Sequence, residues 1–423
     1  MSSAPLPGLN LSAWLCVSTG DSIAGSDSST NLVVLGGYTL NASTQHGVVA
    51  VYSNVDALIF ENESPATLIV RSRPGATVSV VAVAVMTGRT DHFASTLVFD
   101  VTSETWSDTA TTLRLTASEL PSGSEVWRTT FARNVTLASL VRHSMLAVYP
   151  ARKIVIGCTN ARRNEFDDTV ATIHQVDATT GHVNWRTVIH GAECTAVSAV
   201  SDSEDMGTVI VAALSAQVVT TGDGVSHTVH NLPIACRNSV VIRLAVTTGE
   251  WKDSKAAFGL PTLNGATCGV GSPTAAAVVG DMIPDPTSGG TEVLLAGSAS
   301  GELHSRVSLF PMVPQQSVTQ RNITTVPRGF VARVRTGASI HATTASLFYR
   351  GGAAGDEWGE DAALMPNAVA IVGTVSSRVN ATAVVGDTYV PPSSSDASVG
   401  ALRFVATKTR IPFGAMVMGP SWG

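Results

Sequence analysis

Six short apolar runs recur along the chain, and each is followed by small or polar residues. They cover residues 32–36, 80–86, 154–157, 209–213, 293–297 and 369–373. Each run is nearly continuous in Val, Leu, Ile and Ala, which indicates a strand that is buried on both faces. Gly36, Gly157 and Gly297 end three of the runs, and we expect such small residues to let neighbouring backbones approach closely. The runs start about 50 to 85 residues apart, and this irregularity predicts long loops rather than separate domains.

One stretch carries a turn pattern. Residues 177–185 read Asp-Ala-Thr-Thr-Gly-His-Val-Asn-Trp and follow a strand-like run. The Asp and Thr side chains are expected to bond back to the turn backbone, Gly181 to adopt a positive φ, and Trp185 to pack between neighbouring repeats. Weaker copies lie at residues 100–106 and 246–251. Three copies of one hairpin indicate an internal repeat.

The composition predicts an all-β chain. Hydrophobic residues make up 44 % of the sequence and charged residues 14 %, and there are 37 glycines. Val and Thr favour strands, whereas frequent Gly, Asn, Asp and Pro separate short segments by turns. The net charge is −6 and the Lys and Arg residues are scattered, so we expect no binding to nucleic acid. The longest apolar run, residues 78–86, is too short to cross a bilayer, so no transmembrane segment is expected.

The hairpin repeats resemble the β-propeller superfamily with quinoprotein-like blades, whose consensus has an Asp, a Thr-Gly corner and a downstream Trp. Asp177, Gly181 and Trp185 match that consensus. Residues 278–297 are more similar to an integrin-type repeat, which begins with Gly-Asp and ends on a strand with Ala-Gly. The resemblance implies an all-β fold, a single β-propeller of six or seven four-stranded blades.

Three parts of the chain are then expected. Residues 1–16 form an N-terminal extended segment, residues 17–410 the propeller and residues 411–423 an apolar C-terminal tail. Completion of the last blade by the N-terminal strand removes an exposed sheet edge, so residues 7–16 are expected to pair with residues 401–406. The tail is expected to pack on its own propeller or to insert into a neighbouring copy.

The integrin-like repeat supplies the candidate metal ligands. Asp281, Asp285 and Glu292 offer hard oxygen ligands of the kind that Ca²⁺ prefers. Their loop is longer than the family's and lacks its regular alternation of Asp and Asn. An exposed turn in which these acids bond the backbone is the alternative interpretation. The sequence contains no zinc motif, and His227 and His230 alone do not make a metal site.

Glycosylation sequons favour an extracellular protein. Six Asn-x-Ser/Thr sequons are present where about three are expected by chance, which predicts N-linked glycans. They begin at Asn10, Asn41, Asn62, Asn134, Asn322 and Asn380. No apolar leader follows Met1, so the expectation is either a cytosolic protein or a mature N-terminus.

The five cysteines point to the same environment. Cys158 and Cys194 lie about one repeat apart, as do Cys236 and Cys268, and Cys16 is left over. Two disulfides and one odd thiol are typical of a secreted protein, although four cysteines allow three pairings. Five buried thiols are the alternative. Together with the sequons, this pattern favours an extracellular location.

The sequence offers little evidence of catalysis. It has no phosphate-binding glycine loop and no adjacent cysteine pair of the kind expected in quinone-dependent dehydrogenases. Trp358, in a Gly-rich acidic stretch, is the best candidate for stacking on a ligand. We therefore expect a non-catalytic extracellular or cell-surface structural or adhesive glycoprotein that assembles with copies of itself into a polymer or fibril by strand or tail exchange. The alternatives are a secreted propeller enzyme (glycosidase, lyase or oxidoreductase) with an axial active site, and a calcium-dependent ligand-binding receptor module.

Overall fold

The structure is a computed structural model, and strands dominate the part that it describes. It describes residues 11–21, 31–41, 44–52, 65–86, 96–106, 110–137, 145–163, 168–202, 207–221, 226–227, 238–256, 258–259, 277–284, 292–299, 308–309, 328–335, 341–347, 355–365, 368–377, 383–385, 388–390, 399–407 and 414–418. The chain forms two compact units, Met1–Thr187 and Val188–Gly423. The described residues include a 3-10 turn at Pro150–Arg152, but no helix that is long and apolar enough to cross a membrane. The predicted all-β class is confirmed.

The first unit contains three antiparallel sets of four strands, in chain order. The first set is β1 Leu11–Asp21, β2 Asn31–Asn41, β3 Thr44–Tyr52 and β4 Thr67–Arg71. The second is β5 Thr77–Met86, β6 Leu97–Trp106, β7 Ala110–Glu119 and β8 Ser124–Leu137. The third is β9 Leu146–Tyr149, β10 Ile154–Arg163, β11 Asp168–Asp177 and the beginning of β12 Val183–Asp202. The end of β8 also pairs with β10, where Leu137 lies opposite Ala161.

The second unit begins within β12 and has the same organisation. Its strands are β13 Gly207–Thr221, β14 Ser226–His227, β15 Asn238–Ala245, β16 Trp251–Ala256, β17 Phe258–Gly259, β18 Ala277–Pro284, β19 Glu292–Ala299, β20 Ser308–Leu309, β21 Arg328–Arg335, β22 His341–Leu347, β23 Gly355–Met365, β24 Ala368–Ser377, β25 Ala383–Val385, β26 Thr388–Val390, β27 Val399–Thr407 and β28 Gly414–Met418. The order β12-β13-β15-β16 shares β12 with the third set, and all strands from β5 to β16 belong to one twelve-stranded sheet, in which β14 pairs with β13. The orders β18-β19-β21-β22 and β23-β24-β27-β28 are four-stranded sheets, and β17-β20 and β25-β26 form two-stranded sheets.

The predicted apolar runs form inner strands. Five of the six lie in the second strand of a set, namely β2, β10, β13, β19 and β24, and residues 80–86 lie in β5. The neighbours Val33 and Val34 point to opposite faces of β2, and their exposed fractions are 2 % and 0 %. Burial on both faces explains why the run is continuous rather than alternating, as predicted.

Gly36 and Gly157 are approached closely by side chains and not by neighbouring backbones. A Cβ on Gly36 would lie 2.5 Å from the Cys16 Sγ and 2.7 Å from a Val80 methyl carbon. A Cβ on Gly157 would lie 2.5 Å from a ring carbon of Phe131. The expected close approach is therefore present at both positions, but the expectation that backbones make it is wrong.

The turn at residues 177–182 is a hairpin between β11 and β12, as predicted. The Asp177 Oδ1 accepts hydrogen bonds from the backbone N of Thr179 (2.9 Å) and of Thr180 (2.8 Å). Gly181 has φ +73° and donates from its N to the Asp177 carbonyl at 2.9 Å. The copy between β15 and β16 has the same backbone, with φ +72° at Gly249, although Ala245 stands in place of the Asp.

The third predicted copy, at residues 100–106, is wrong. These residues lie inside the continuous strand β6, which ends at Trp106. The stretch has no Gly, and its β-branched Val and Thr residues favour extended backbone. The corresponding hairpin joins β7 to β8, where Gly123 has φ +68° and its N donates to the Glu119 carbonyl at 2.8 Å.

The ends of the chain pair differently from the prediction. Residues 401–406 lie in β27, which has β24 on one side and β28 on the other, so the expected pairing with residues 7–16 is wrong. The described part of the N-terminal segment lies in β1 and pairs with β2. Residues 414–418 of the tail form β28 and pair with β27 of the same chain. The boundaries at residues 16 and 410 stay predictions.

Candidate functional site

A buried ion pair joins the first and second strand sets. Asp100 of β6 has a fully buried side chain, and Arg71 at the end of β4 is 10 % exposed. The Arg71 guanidinium donates from Nη2 to the Asp100 Oδ1 at 2.5 Å and from Nε to the Oδ2 at 3.1 Å. Its Nη2 also donates to the Ser118 Oγ at 2.7 Å. This bidentate geometry fixes β4 against β6 and β7.

A second charged cluster lies four residues further along β6, at Glu104. The Glu104 carboxylate accepts from the Arg114 Nε at 2.8 Å and from the Arg73 Nε at 3.3 Å. The Arg114 Nη1 also donates to the Thr130 Oγ1 at 3.3 Å. Glu104 is 4 % exposed, whereas Arg114 and Arg73 are 23 % and 35 % exposed. The carboxylate is therefore buried beneath two arginines that reach the solvent.

Strand alternation builds this polar row. Asp100, Thr102 and Glu104 lie on one face of β6, and Phe99 and Val101 lie on the other. On β4, Ile69 and Arg71 share a face in the same way. The apolar half of this junction is a cluster of buried residues that includes Ile69 and several valines. The ion pairs form the other half of the junction.

Burial and mutual attraction act in opposite directions on the pKa values of the Arg71–Asp100 pair. Burial raises the pKa of the Asp100 carboxyl, and the Arg71 charge opposes that shift. Burial alone would lower the pKa of Arg71, but the charge of Asp100 and its hydrogen bonds hold that pKa above the ordinary value. Both carboxylate oxygens of Asp100 already accept hydrogen bonds from Arg71. The pair is thus arranged for holding strands together rather than for taking a proton from a substrate.

A buried histidine occupies the junction of the second and third sets. His174 of β11 is 1 % exposed and stacks on the Phe131 ring of β8, with centroids 4.5 Å apart and planes 7° apart. Its Nε2 lies 3.4 Å from the Thr159 Oγ1. Burial, and next the charge of Arg186, lower the pKa of His174 from 6.5 to about 3. The ring is therefore neutral at ordinary pH and acts as a core aromatic group.

Two of the predicted cysteines are in disulfides. Cys158 of β10 and Cys194 of β12 are each disulfide-bonded and nearly fully buried. Cys236 and Cys268 lie outside the described residues. Cys16 is a buried thiol whose Sγ lies 3.9 Å from the Val80 carbonyl. The prediction of disulfides is confirmed for Cys158 and Cys194, and the pairing of the four cysteines stays open.

Two of the predicted glycosylation sites have a described backbone. Asn41 is the last residue of β2 and lies opposite Thr44, the first residue of β3, so that two residues connect the strands. Asn134 lies within β8, where the adjacent Val135 pairs with Thr111 of β7. The other sequon asparagines lie outside the described residues, at Asn10, Asn62, Asn322 and Asn380. Glycan attachment stays a prediction at all six.

The candidate calcium ligands are spread along a hairpin. Asp281 of β18 lies opposite Ala296, and Glu292 begins β19 with an exposed fraction of 6 %. Ala296 comes four positions after Glu292 in β19, which is about 13 Å along a strand. Asp285 lies outside the described residues. Within the described ranges no three His, Cys, Asp or Glu side chains converge as metal ligands, and calcium stays a prediction.

One further prediction is changed by the fold. Trp358 lies within β23, opposite Thr374 of β24, and not in a loop. The loop position, which was the reason for the ligand-stacking role, is therefore wrong.

The buried ion pairs were not predicted from the sequence. The sequence pattern places Asp100 in a turn, because an Asp is followed by a Trp at residues 100–106 as it is at residues 177–185. The signal that would have found the network is the two-residue alternation of Asp100, Thr102 and Glu104 with apolar residues. Acids at alternate positions of a strand predict basic partners across the junction. Their partner Arg71 could not be identified without the fold.

Comparisons with known proteins give weak similarities in shape. No protein-family model and no curated protein matches the chain. It is similar to the β-propeller domain of the trilobed protease from Pyrococcus furiosus, described as having an open velcro topology, with a TM-score of 0.39, 10 % identity, and coverage of 96 % of this chain and 94 % of that one. It is also similar to the periplasmic gluconolactonase PpgL of Pseudomonas aeruginosa, with a TM-score of 0.29, 9 % identity, and coverage of 76 % and 95 %.

Proposed function

We propose that this chain is a non-catalytic extracellular structural or adhesive glycoprotein, built as a propeller of six four-stranded blades and assembling with copies of itself. The strand order supports this number, since antiparallel meanders of four strands follow one another along the chain, with β12 contributing to two of them. Each set corresponds to one blade of an antiparallel meander.

The disulfide-bonded state of Cys158 and Cys194 carries the extracellular part of the proposal. Both cysteines lie in buried strands, where a disulfide is sheltered from reductants. Disulfides of this kind persist in oxidising compartments and are rare in the cytosol. The six sequons then become accessible to the glycosylation machinery, and N-linked glycans are the expected modification.

The buried ion pairs support the structural role. Asp100 is held by Arg71 of the first set, and Glu104 by Arg114 of its own set and by Arg73 of the segment between β4 and β5. Such pairs contribute to a rigid and specific arrangement of strands. A secreted enzyme and a calcium-dependent receptor remain the alternatives, and no observation in the described part of the chain favours either.

Particle size tests the assembly. We expect native protein to form polymers visible by electron microscopy, and deletion of residues 411–423 to shorten them, because this segment supplies β28 at the edge of its set. Deletion of residues 1–10 serves as a control of similar length outside the strands described. A monodisperse monomer at high concentration, with or without the deletion, would contradict the assembly.

A further inference from the structure

The outermost strand of the first set carries a row of exposed apolar side chains. Leu68 and Val70 alternate with the buried Ile69 along β4, and their exposed fractions are 40 % and 49 %. Ala66, just before the strand, is exposed and continues the same alternation. Single exposed apolar residues are common on protein surfaces, whereas neighbouring ones on one strand face form a contiguous patch that indicates an interaction site.

The equivalent rows on the next two outer strands are more polar. On β8 the exposed row is Ser124, Val126 and Arg128, with a single large apolar residue. On β12 it contains Asn184 and Arg186. β4 and β8 occupy equivalent positions in the fold, because Ile69 of β4 packs against Gly123 in the way that Trp127 of β8 packs against Gly181. The apolar row is therefore a property of β4 and not of outer strands in general.

Within the part of the chain that the structure describes, no strand pairs with the outer edge of β4. The strand order places β4 at the end of its set, with β3 as its hydrogen-bonded neighbour among the strands described. A strand edge is commonly protected by an unpaired charge, but the charge of Arg71 is turned inward onto Asp100. The edge thus combines available main-chain groups with an apolar row.

We propose that β4 pairs antiparallel with β4 of a second copy of this chain, with Ile69 at the centre of the contact. This inference rests on the self-assembly in the proposed function and assigns a surface to it. The register places Leu68 of one copy opposite Val70 of the other, twice by symmetry, and Thr67 opposite Arg71. Each exposed apolar residue then gains an apolar cross-strand neighbour on the same face, and no two like charges face each other.

The order of residues in β4 is what selects a second copy over another partner. Thr-Leu-Ile-Val-Arg is self-complementary about its middle residue when two copies run antiparallel. A symmetric contact of this kind needs no further protein, and aliphatic cross-strand pairs stabilise it.

Sedimentation velocity over a range of protein concentrations tests the contact. The double variant L68K/V70K places like charges opposite each other, and we expect its self-association constant to fall roughly tenfold or more below that of the wild type. V126K is the matched control, because Val126 is as exposed as Val70 and lies on the next outer strand. It is expected to associate as the wild type does. Thermal melting checks that each variant is folded, and L68T/V70T replaces the lysine variant if that one is not.

Three results would overturn the inference. A folded L68K/V70K variant that associates like the wild type would overturn the β4 contact and leave self-assembly by another surface intact. Equal loss of association in V126K would show that any added charge acts nonspecifically. A wild-type chain that stays monomeric would remove both this contact and the assembly part of the proposed function.

Discussion

Glycines with the same backbone conformation serve different purposes in this chain. Gly181 has φ +73° and Gly75 has φ +76°, so both positions exclude most side chains on conformational grounds. A Cβ on Gly181 would lie 2.6 Å from the Trp127 Cε3, whereas a Cβ on Gly75 would meet nothing within 4 Å. The Trp127 Nε1 also donates to the Ala178 carbonyl at 2.9 Å. Gly181 is therefore both a turn residue and the place where β8 docks.

This difference predicts the cost of an added methyl group. Gly75→Ala should destabilise the protein by about 1–2 kcal/mol, the cost of a left-handed backbone alone. Gly181→Ala should cost about 1–3 kcal/mol more, because Trp127 must also move. Midpoints of urea denaturation measure both variants. Equal midpoints would show that the docking of Trp127 does not depend on Gly181.

His174 makes stability depend on pH. Its folded-state pKa of about 3 lies below the ordinary 6.5, so the unfolded chain takes up a proton that the folded chain excludes. The resulting stability is complete above pH 6.5 and is lost as the pH falls from 6.5 toward 3, by up to about 5 kcal/mol. His174→Gln, which cannot be protonated there, should flatten the stability profile in this window. The exposed His182→Gln is the control, and a profile equally steep in wild type and His174→Gln would contradict the prediction.

At the scale of strands, the junction between the first and second sets is divided into an apolar part and a charged part. Along β4, Ile69 enters the apolar cluster and Arg71, two residues later, pairs with Asp100. A single strand face thus changes from hydrophobic to ionic packing within one alternation. The ionic part gives the junction a defined register, since a slip of one residue would bury Arg71 among valines.

Mutation of one partner of this pair should be worse than mutation of both. Arg71→Met leaves the buried Asp100 charge without its partner and should cost about 3–5 kcal/mol. The double variant R71M/D100L replaces the pair by apolar groups and should recover a large part of that loss. Arg128→Met is the control, because its partner Glu125 is exposed and such pairs contribute about 0–1 kcal/mol. A double-mutant cycle on unfolding free energies measures the coupling, and additive effects would contradict it.

Local patterns predict local features of this fold and fail for long-range ones. The residue types at 177–182 dictate a hairpin by themselves, because Asp, Thr and Gly each fulfil a requirement of the turn. The continuous apolar runs likewise predict inner strands. The Asp100–Arg71 pair joins residues 29 positions apart, and only the packing of two sets brings them together. The same limit explains the wrong pairing of residues 401–406, since sequence does not show that β28 already occupies that edge.

At the scale of the whole molecule, we propose a chain of repeated meanders that is stabilised by disulfides and modified by sugars outside the cell. Antiparallel meanders of four strands follow one another along the described part of the chain. Buried disulfide-bonded cysteines and surface glycans are both products of the secretory environment. The extracellular location is therefore the claim on which the adhesive role and the self-assembly both depend.

The intact mass of protein purified from its native source, without reduction, tests this claim most directly. We predict a mass above that of the amino-acid sequence, which an N-glycan-removing enzyme lowers, and protection of Cys158 and Cys194 from thiol alkylation until a reductant is added to the denatured chain. A mass equal to that of the sequence, with all five cysteines alkylated before reduction, would contradict the account.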